Sequence, residues 1–299
     1  LYGPLVRQDS NPLFLGHALA TAVRENKGIQ VMRFAPMDPN ASTYAALLSG
    51  LRANDWVPFQ FSCFGNWFLP VRGTWQDYLK SRSRNLRSSI VRRCKKFAIE
   101  GGTIEIVSTT GYIEESIAEF QRVYAASWKQ PEPYPDFIPE LIRQLAAMGM
   151  LRLGFARLRG QAIATQLWFV DRTKASIYKV AYDESFASYA PGTVLTAHLM
   201  QHVIDCDHVQ EVDFLIGDDS YKKTWMSDRR ERFGIVAYDP STIIGFALLM
   251  REALGRALRS VAGRIGPVFS RLRSFCGSGA NRSPRRRLAA TAHSSVKKP

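Results

Sequence analysis

The chain has little of what small secreted or metal-stapled proteins rely on. Its four cysteines, Cys63, Cys94, Cys206 and Cys276, lie far apart and form no CxxC pair. That excludes a dense disulfide framework and argues against a structural zinc site; reduced thiols in a cytoplasmic compartment are the simplest reading. No run of about 18 uncharged apolar residues occurs, so no transmembrane helix is predicted. Neither end has the pattern of a cleavable secretory signal, and no repeat at solenoid periods is visible. The first residue is Leu1 rather than Met, which reads as a trimmed start. Acidic residues are nearly missing from one region: residues 251–299 hold 12 Lys/Arg against Glu252 alone, a local charge of +11.

What is present is enough apolar material for a sizeable core. The 299 residues are 46% hydrophobic, which suits one large domain or two smaller ones. The net charge of +14 is local rather than general. Apart from the C-terminal region, it concentrates at residues 72–96, where nine Lys/Arg face only Asp77. Two cationic segments of this kind favour anionic partners: phosphates, lipid headgroups or nucleic acid.

Patterning predicts an α/β (α+β) fold. Helical spacing covers 12–26 and 42–53, with strand-like runs at 29–34 and 56–64. A long basic helix is expected from Gly73 or Thr74 to about Glu100, ended by Gly101-Gly102. A strand at 103–107 and helices at 113–128 and 137–148 follow. Leu151–Leu158, Gln161–Val170 and Ala175–Tyr182, separated by short polar turns, predict an antiparallel meander. Then come a helix at 193–206, a strand at 209–216, a short helix from Tyr221 and a last strand at 232–237. Residues 243–275 place Phe246, Met250, Leu254, Leu258, Val261, Ile265, Val268, Leu272 and Phe275 near helical spacing among arginines. Gly255, Gly263 and Gly266-Pro267 weaken a single continuous helix there. Residues 276–299 read as a disordered basic tail.

Two segments hold the chemistry-bearing residues. Ser188-Tyr189-Ala190-Pro191-Gly192 joins a strand to a helix, where free N–H groups and the helix dipole favour phosphate. An ordinary strand-to-helix turn is the competing reading. In Val212–Lys222 three carboxylates, a tyrosine and a lysine gather where a strand stops and a helix starts, a usual place for ligands in open α/β sheets. An Asp and a Tyr placed there suit the taking and giving of protons at a bound substrate. The competing reading is that Asp218 or Asp219 caps the next helix. His198, His202 and Cys206 share a helix face, but no acidic partner accompanies them, and no metal site is expected. Trp128 and Trp225 read as buried aromatics or as pocket walls.

The order of pieces from Val71 to Ala237 resembles the acetyltransferase group related to CelD-like cellulose-biosynthesis proteins and Fem-type transferases, within the GNAT superfamily. The pieces are Trp75-Gln76-Asp77-Tyr78-Leu79 with the basic helix, Ser127-Trp128-Lys129, Gly160–Ala164, Tyr178–Asp183, Tyr189–Leu195, and Asp213–Asp218 with Tyr221-Lys222 and Trp225. The resemblance implies a mixed, mostly antiparallel sheet flanked by helices. It divides the chain into a partial, degenerate first GNAT half (1–70), the acyltransferase domain (71–240), a basic amphipathic helical segment (241–275) and the tail.

By the same resemblance the donor is acyl-CoA or acetyl-CoA, a co-substrate with no permanently bound cofactor. Its diphosphate is expected at Tyr189, Pro191, Gly192, Thr193 and Val194. Asp213 or Asp218 is expected as base or ammonium orienter and Tyr221 as acid, with Trp128, Lys129, Tyr178, Lys222 and Trp225 around the acceptor. The expected function is an N-acyltransferase acting on an amine of an envelope lipid, sugar or polysaccharide precursor. Its expected place is the cytoplasm, peripheral at the inner membrane through the C-terminal helix, with no nucleic-acid partner. Two alternatives are a Fem-like transferase using aminoacyl-tRNA and a non-catalytic scaffold.

Overall fold

The predicted meander forms one wing of a single eight-stranded sheet. The computed structural model describes residues 12–25 and 28–276. In chain order the elements are α1 (Pro12–Glu25), β1 (Val31–Met37), α2 (Ser42–Ala53), β2 (Val57–Pro70), α3 (Trp75–Ser81), α4 (Arg84–Ile99), β3 (Gly102–Val107), α5 (Ile113–Ala125) and α6 (Phe137–Ala147). Then follow β4 (Leu151–Leu158), β5 (Gln161–Asp171), β6 (Lys174–Tyr182), a 3-10 turn (Glu184–Tyr189), α7 (Pro191–Asp205), β7 (Glu211–Asp213), α8 (Ser220–Trp225), β8 (Asp228–Tyr238) and α9 (Ile243–Cys276).

The strands lie in the order β1-β8-β2-β7-β6-β5-β4-β3. Every neighbouring pair is antiparallel except β6 and β7. A parallel pair needs a crossover, and α7 supplies it. The result is the mixed, mostly antiparallel, helix-flanked sheet expected of a GNAT-type fold.

Strand β5 is buried from Ala162 to Trp168, because helices cover both faces at that point. Ile163 and Trp168 pack with α3, α4 and α7 on one side, while Leu167, Phe155 and Leu153 pack with α5 and α6 on the other. A third cluster joins α1 and α2 to Met32, Ile235 and Ala237. Strand β8 pairs with both β1 and β2, so the segments before and after Val71 share one sheet.

Four predicted elements are corrected. The basic helix is two helices: Arg82 is extended (φ −87°, ψ 158°), and Ser83 caps a fresh start by accepting from the Leu86 N–H. The strand at 56–64 extends to Pro70, since β8 pairs with it as far as Phe68 and β7 takes over to Pro70. The strand at 209–216 shrinks to Glu211–Asp213, for a reason given below. The glycines and Pro267 do not divide α9, which runs as one helix to Cys276. The expected disordered tail falls at residues outside those described. Among the described residues no helix is long and apolar enough to cross a membrane.

Candidate active site

The parallel pair gives the site its shape. Strands β6 and β7 are paired only from Lys174↔Glu211 to Ser176↔Asp213. Beyond that point β6 continues to Tyr182 against β5 alone, so every second peptide group of its free edge faces a gap.

A backbone kink opens the gap. Leu215 sits in the left-handed region (φ 52°), where few residues other than glycine go. Both of its peptide groups are held there. Its N–H donates to Asp213 Oδ1 at 2.7 Å, and its C=O accepts from Asn66 Nδ2 at 2.8 Å. The chain therefore leaves the sheet immediately after Asp213.

Asp213 is 1% exposed and fully engaged. Besides Leu215 it accepts from Asn66 (2.6 Å), Lys174 (2.7 Å) and Arg230 (2.7 Å). Lys174 and Arg230 also pair with Glu211, at 3.1 and 2.7 Å. Burial alone would raise the Asp213 pKa, but hydrogen bonds from Lys174 and Asn66 and the lysine's charge hold it below the usual carboxylate range.

A cleft of about 510 Å³ occupies the gap. Arg93, Gly192 and Thr193 line it together with Val180, Tyr182, Phe214, Trp128, Asp219, Tyr221 and Trp225. A second recess of about 330 Å³ continues past Lys129, Tyr178 and Lys222. The Trp128 ring packs on Tyr182 with centroids 4.8 Å apart, and the Lys129 ammonium lies 5.1 Å from the Trp128 ring centroid.

At the start of α7, Ala190 is left-handed (φ 50°) and Pro191 takes the first helical position. The amides of Thr193 and Val194 both donate to the Ala190 carbonyl. Gly192 keeps the first-turn N–H that has no partner among the described residues. Arg93 of α4 reaches across to donate to Thr193 Oγ1 at 2.8 Å. Gln166, from within β5, donates to the Gly192 carbonyl and to Thr196 Oγ1, and accepts from Trp168. The turn is thus braced from the core while one amide and one guanidinium stay beside the cleft.

Tyr221 stands where the two recesses meet, half in solvent, edge-on to Phe214. Burial, with the Asp219 charge adding to it, pushes its hydroxyl up to about 12. Asp219 takes the position before α8 without capping it through its side chain, so that carboxylate borders both recesses.

The expected site residues therefore separate. Tyr221, Trp128, Lys129, Tyr178, Trp225, Gly192 and Thr193 line the two recesses. Asp213 does not, because its four donors hold it under the sheet. Asp218 turns away to Arg229 and the Trp67 indole. Hydrogen bonds from Arg229 hold its carboxyl below the usual carboxylate range. Lys222 spends its ammonium on Ile216 O (2.5 Å) and Asp219 (3.3 Å), bracing the loop instead of waiting for an anion. Val194 is fully buried, Pro191 is buried and offers no N–H, and Tyr189 packs on Phe186 and Lys96.

Sequence reasoning missed Arg93, Gln166 and Asn66 as individuals. Gln166 and Asn66 did carry a signal, since each is an amide set among mostly apolar strand residues. Among the described residues no cluster of three His, Cys, Asp or Glu side chains is arranged to hold a metal.

Residues 84–223, somewhat under half of the chain, match the family described as the acetyltransferase (GNAT) domain. That family consists of transferases and generally uses acetyl-CoA as co-substrate. No curated protein matches the chain. Solved structures with a similar fold include FemX, at 14% identity over 79% of this chain and 79% of that one, TM-score 0.56. The C-terminal DUF2156 domain of an Agrobacterium fabrum protein named a lysylphosphatidylglycerol synthetase is 13% identical over 84% and 80%, TM-score 0.55. L-PGS from Bacillus licheniformis is 14% identical over 82% and 78%, TM-score 0.50. At these identities the likeness is one of fold.

Proposed function

We propose that the protein is an acyl-CoA-dependent N-acyltransferase of the CelD-like, Fem-related group, transferring an acyl group to an amine of an envelope lipid, sugar or polysaccharide precursor. The observation that supports it most is the parting of β6 and β7 after Ser176 and Asp213, which leaves a strand edge beside an elongated cleft. An amide-bearing pantetheine arm can pair with such an edge as an added strand does. The Gly192 N–H, Thr193 and Arg93 then meet the diphosphate at one end.

At the other end the acceptor nitrogen attacks the thioester carbonyl, the C–S bond breaks, and the departing sulfur takes a proton. Tyr221 is the donor in this reading, because its raised pKa keeps it protonated at neutral pH. Asp219 orients the ammonium and relays its proton to water, and the proton that the nitrogen sheds on forming the amide restores the Tyr221 hydroxyl. Asp213 and Asp218 act from outside the cleft: the first holds the kink that opens it, and the second anchors the loop to Arg229. Trp128, Lys129, Tyr178 and Trp225 form the acceptor wall.

A second reading, transfer from aminoacyl-tRNA, is favoured by the outer face of α4, where Arg84, Arg87, Arg92 and Lys95 stand in solvent. Thermal shift separates these readings. The proposal expects stabilisation by CoA and acyl-CoA, about 2.7 kcal/mol at a hundredfold excess over Kd, and none by aminoacyl-tRNA. Stabilisation by aminoacyl-tRNA alone selects the second reading. A response to neither leaves the scaffold reading and removes both transferase proposals.

A further inference from the structure

Helix α9 is turned inside out. The helix of a globular domain normally lays its apolar stripe on the core and its charges in water. Over the described side chains of α9 a larger apolar stripe faces water instead. Ile243, Phe246, Met250, Leu254 and Leu258 all point to solvent, Ile243 at 91% exposure and Leu254 and Leu258 at 62%. Ala247 and Ala257 complete the same outward arc. The side facing the domain carries the half-buried Leu248 and Leu249 beside a polar brace: Arg256 donates to Glu252 (2.7 Å) and to the Gln60 carbonyl (3.0 Å), and its guanidinium lies over Phe59. That bracing fixes the orientation of the helix, so the apolar arc cannot roll inward without breaking it.

We infer that this arc docks on an anionic lipid surface, the helix lying in the plane of the interface. Charge selects the occupant. Arg251 and Arg259 stand in solvent on the same helix, and residues 251–299 carry +11. A second copy of this chain brings the same positive charge to the same place and is repelled, whereas an anionic headgroup layer attracts it. The sequence keeps the apolar spacing as far as Phe275, over a helix of 34 residues, about 51 Å at 1.5 Å per residue. A cationic helix with one continuous apolar face binds in this manner, by shallow burial of the face plus attraction of the flanking arginines. The inference does not depend on the proposed transferase activity.

Vesicle co-sedimentation of the full chain tests it, with phosphatidylcholine alone compared with equal parts phosphatidylcholine and phosphatidylglycerol. The chain pellets with the anionic vesicles, stays in the supernatant with the neutral ones, and is released by high salt. The double variant Met250→Glu/Leu254→Glu lowers anionic-vesicle binding on the order of tenfold. Its melting temperature stays unchanged, because both side chains already stand in water. Wild-type protein remaining in the supernatant with anionic vesicles overturns the inference. So does a double variant that pellets as well as wild type, since the basic residues alone would then account for binding. A lipid-free dimer in sedimentation velocity that the double variant abolishes overturns it as well, by assigning the face to a second copy.

Discussion

Tyr221 and the Arg93–Thr193 pair allow the sharpest tests of the site. With its hydroxyl pushed up from 10.0 to about 12, Tyr221 remains a proton donor through the alkaline range in which an ordinary tyrosine ionises. Tyr221→Phe is expected to lower kcat by about a hundredfold while the Kd for acyl-CoA stays put, the pattern of a lost general acid. Because the folded pKa is raised, deprotonation of Tyr221 should not reduce wild-type kcat below pH 10; a decline centred near 10 in the pH–rate profile would remove it as the donor. Arg93→Ala and Gly192→Asp are expected to act on the donor instead, weakening acyl-CoA about tenfold in calorimetry by loss or reversal of charge beside the diphosphate. Neither should disturb folding. Arg93 spans only to a hydroxyl, and a Cβ at Gly192 would lie 3.5 Å from Tyr182 Cδ1, an ordinary contact.

The short strand β7 shows how a buried ionic group shapes a cleft. Asp213 ties Lys174 of β6, Arg230 of β8 and Asn66 of β2 to the kink at Leu215, so four elements meet at one carboxylate. Asp213→Asn leaves two cations short of their counter-charge and should cost about 3 kcal/mol in urea unfolding. Its folded pKa lies below the ordinary 3.8, so its contribution is complete above that value and is lost as pH falls through the folded pKa. Wild-type stability should therefore drop on acidification below about pH 4 more than that of Asp213→Asn. At the far edge of the sheet, α1 and α2 cross with their backbones nearly touching. A Cβ at Gly50 would lie 2.2 Å from the Gly16 carbonyl carbon, against backbone that cannot yield. Gly50→Ala should destabilise by about 1–3 kcal/mol, read as a lower urea midpoint.

In the assembled molecule β8 is shared. It pairs with β1 and β2, and its Ile235 and Ala237 belong to the cluster under α1 and α2. The segment before Val71 and the rest should therefore unfold together, with near- and far-ultraviolet dichroism tracing one transition; two separated transitions would show independent units. Much of this architecture was open to reading from residue order. Strand-like runs split by short polar turns gave the meander β4–β6, helical spacing gave α2, α5 and α6, and the segments around Pro191-Gly192 and Asp219–Lys222 hold residues that line the cleft. These signals are local, resting on side-chain period and turn chemistry within about ten residues. The folded chain alone decided which carboxylate borders the cleft, why β7 stops at Asp213, and which way α9 faces. Each of those depends on a partner far along the chain: Asn66 is 147 residues from Asp213, and Gln60 is 196 from Arg256. Burial and hydrogen bonding between segments so distant follow from packing, and no pattern within one segment encodes them.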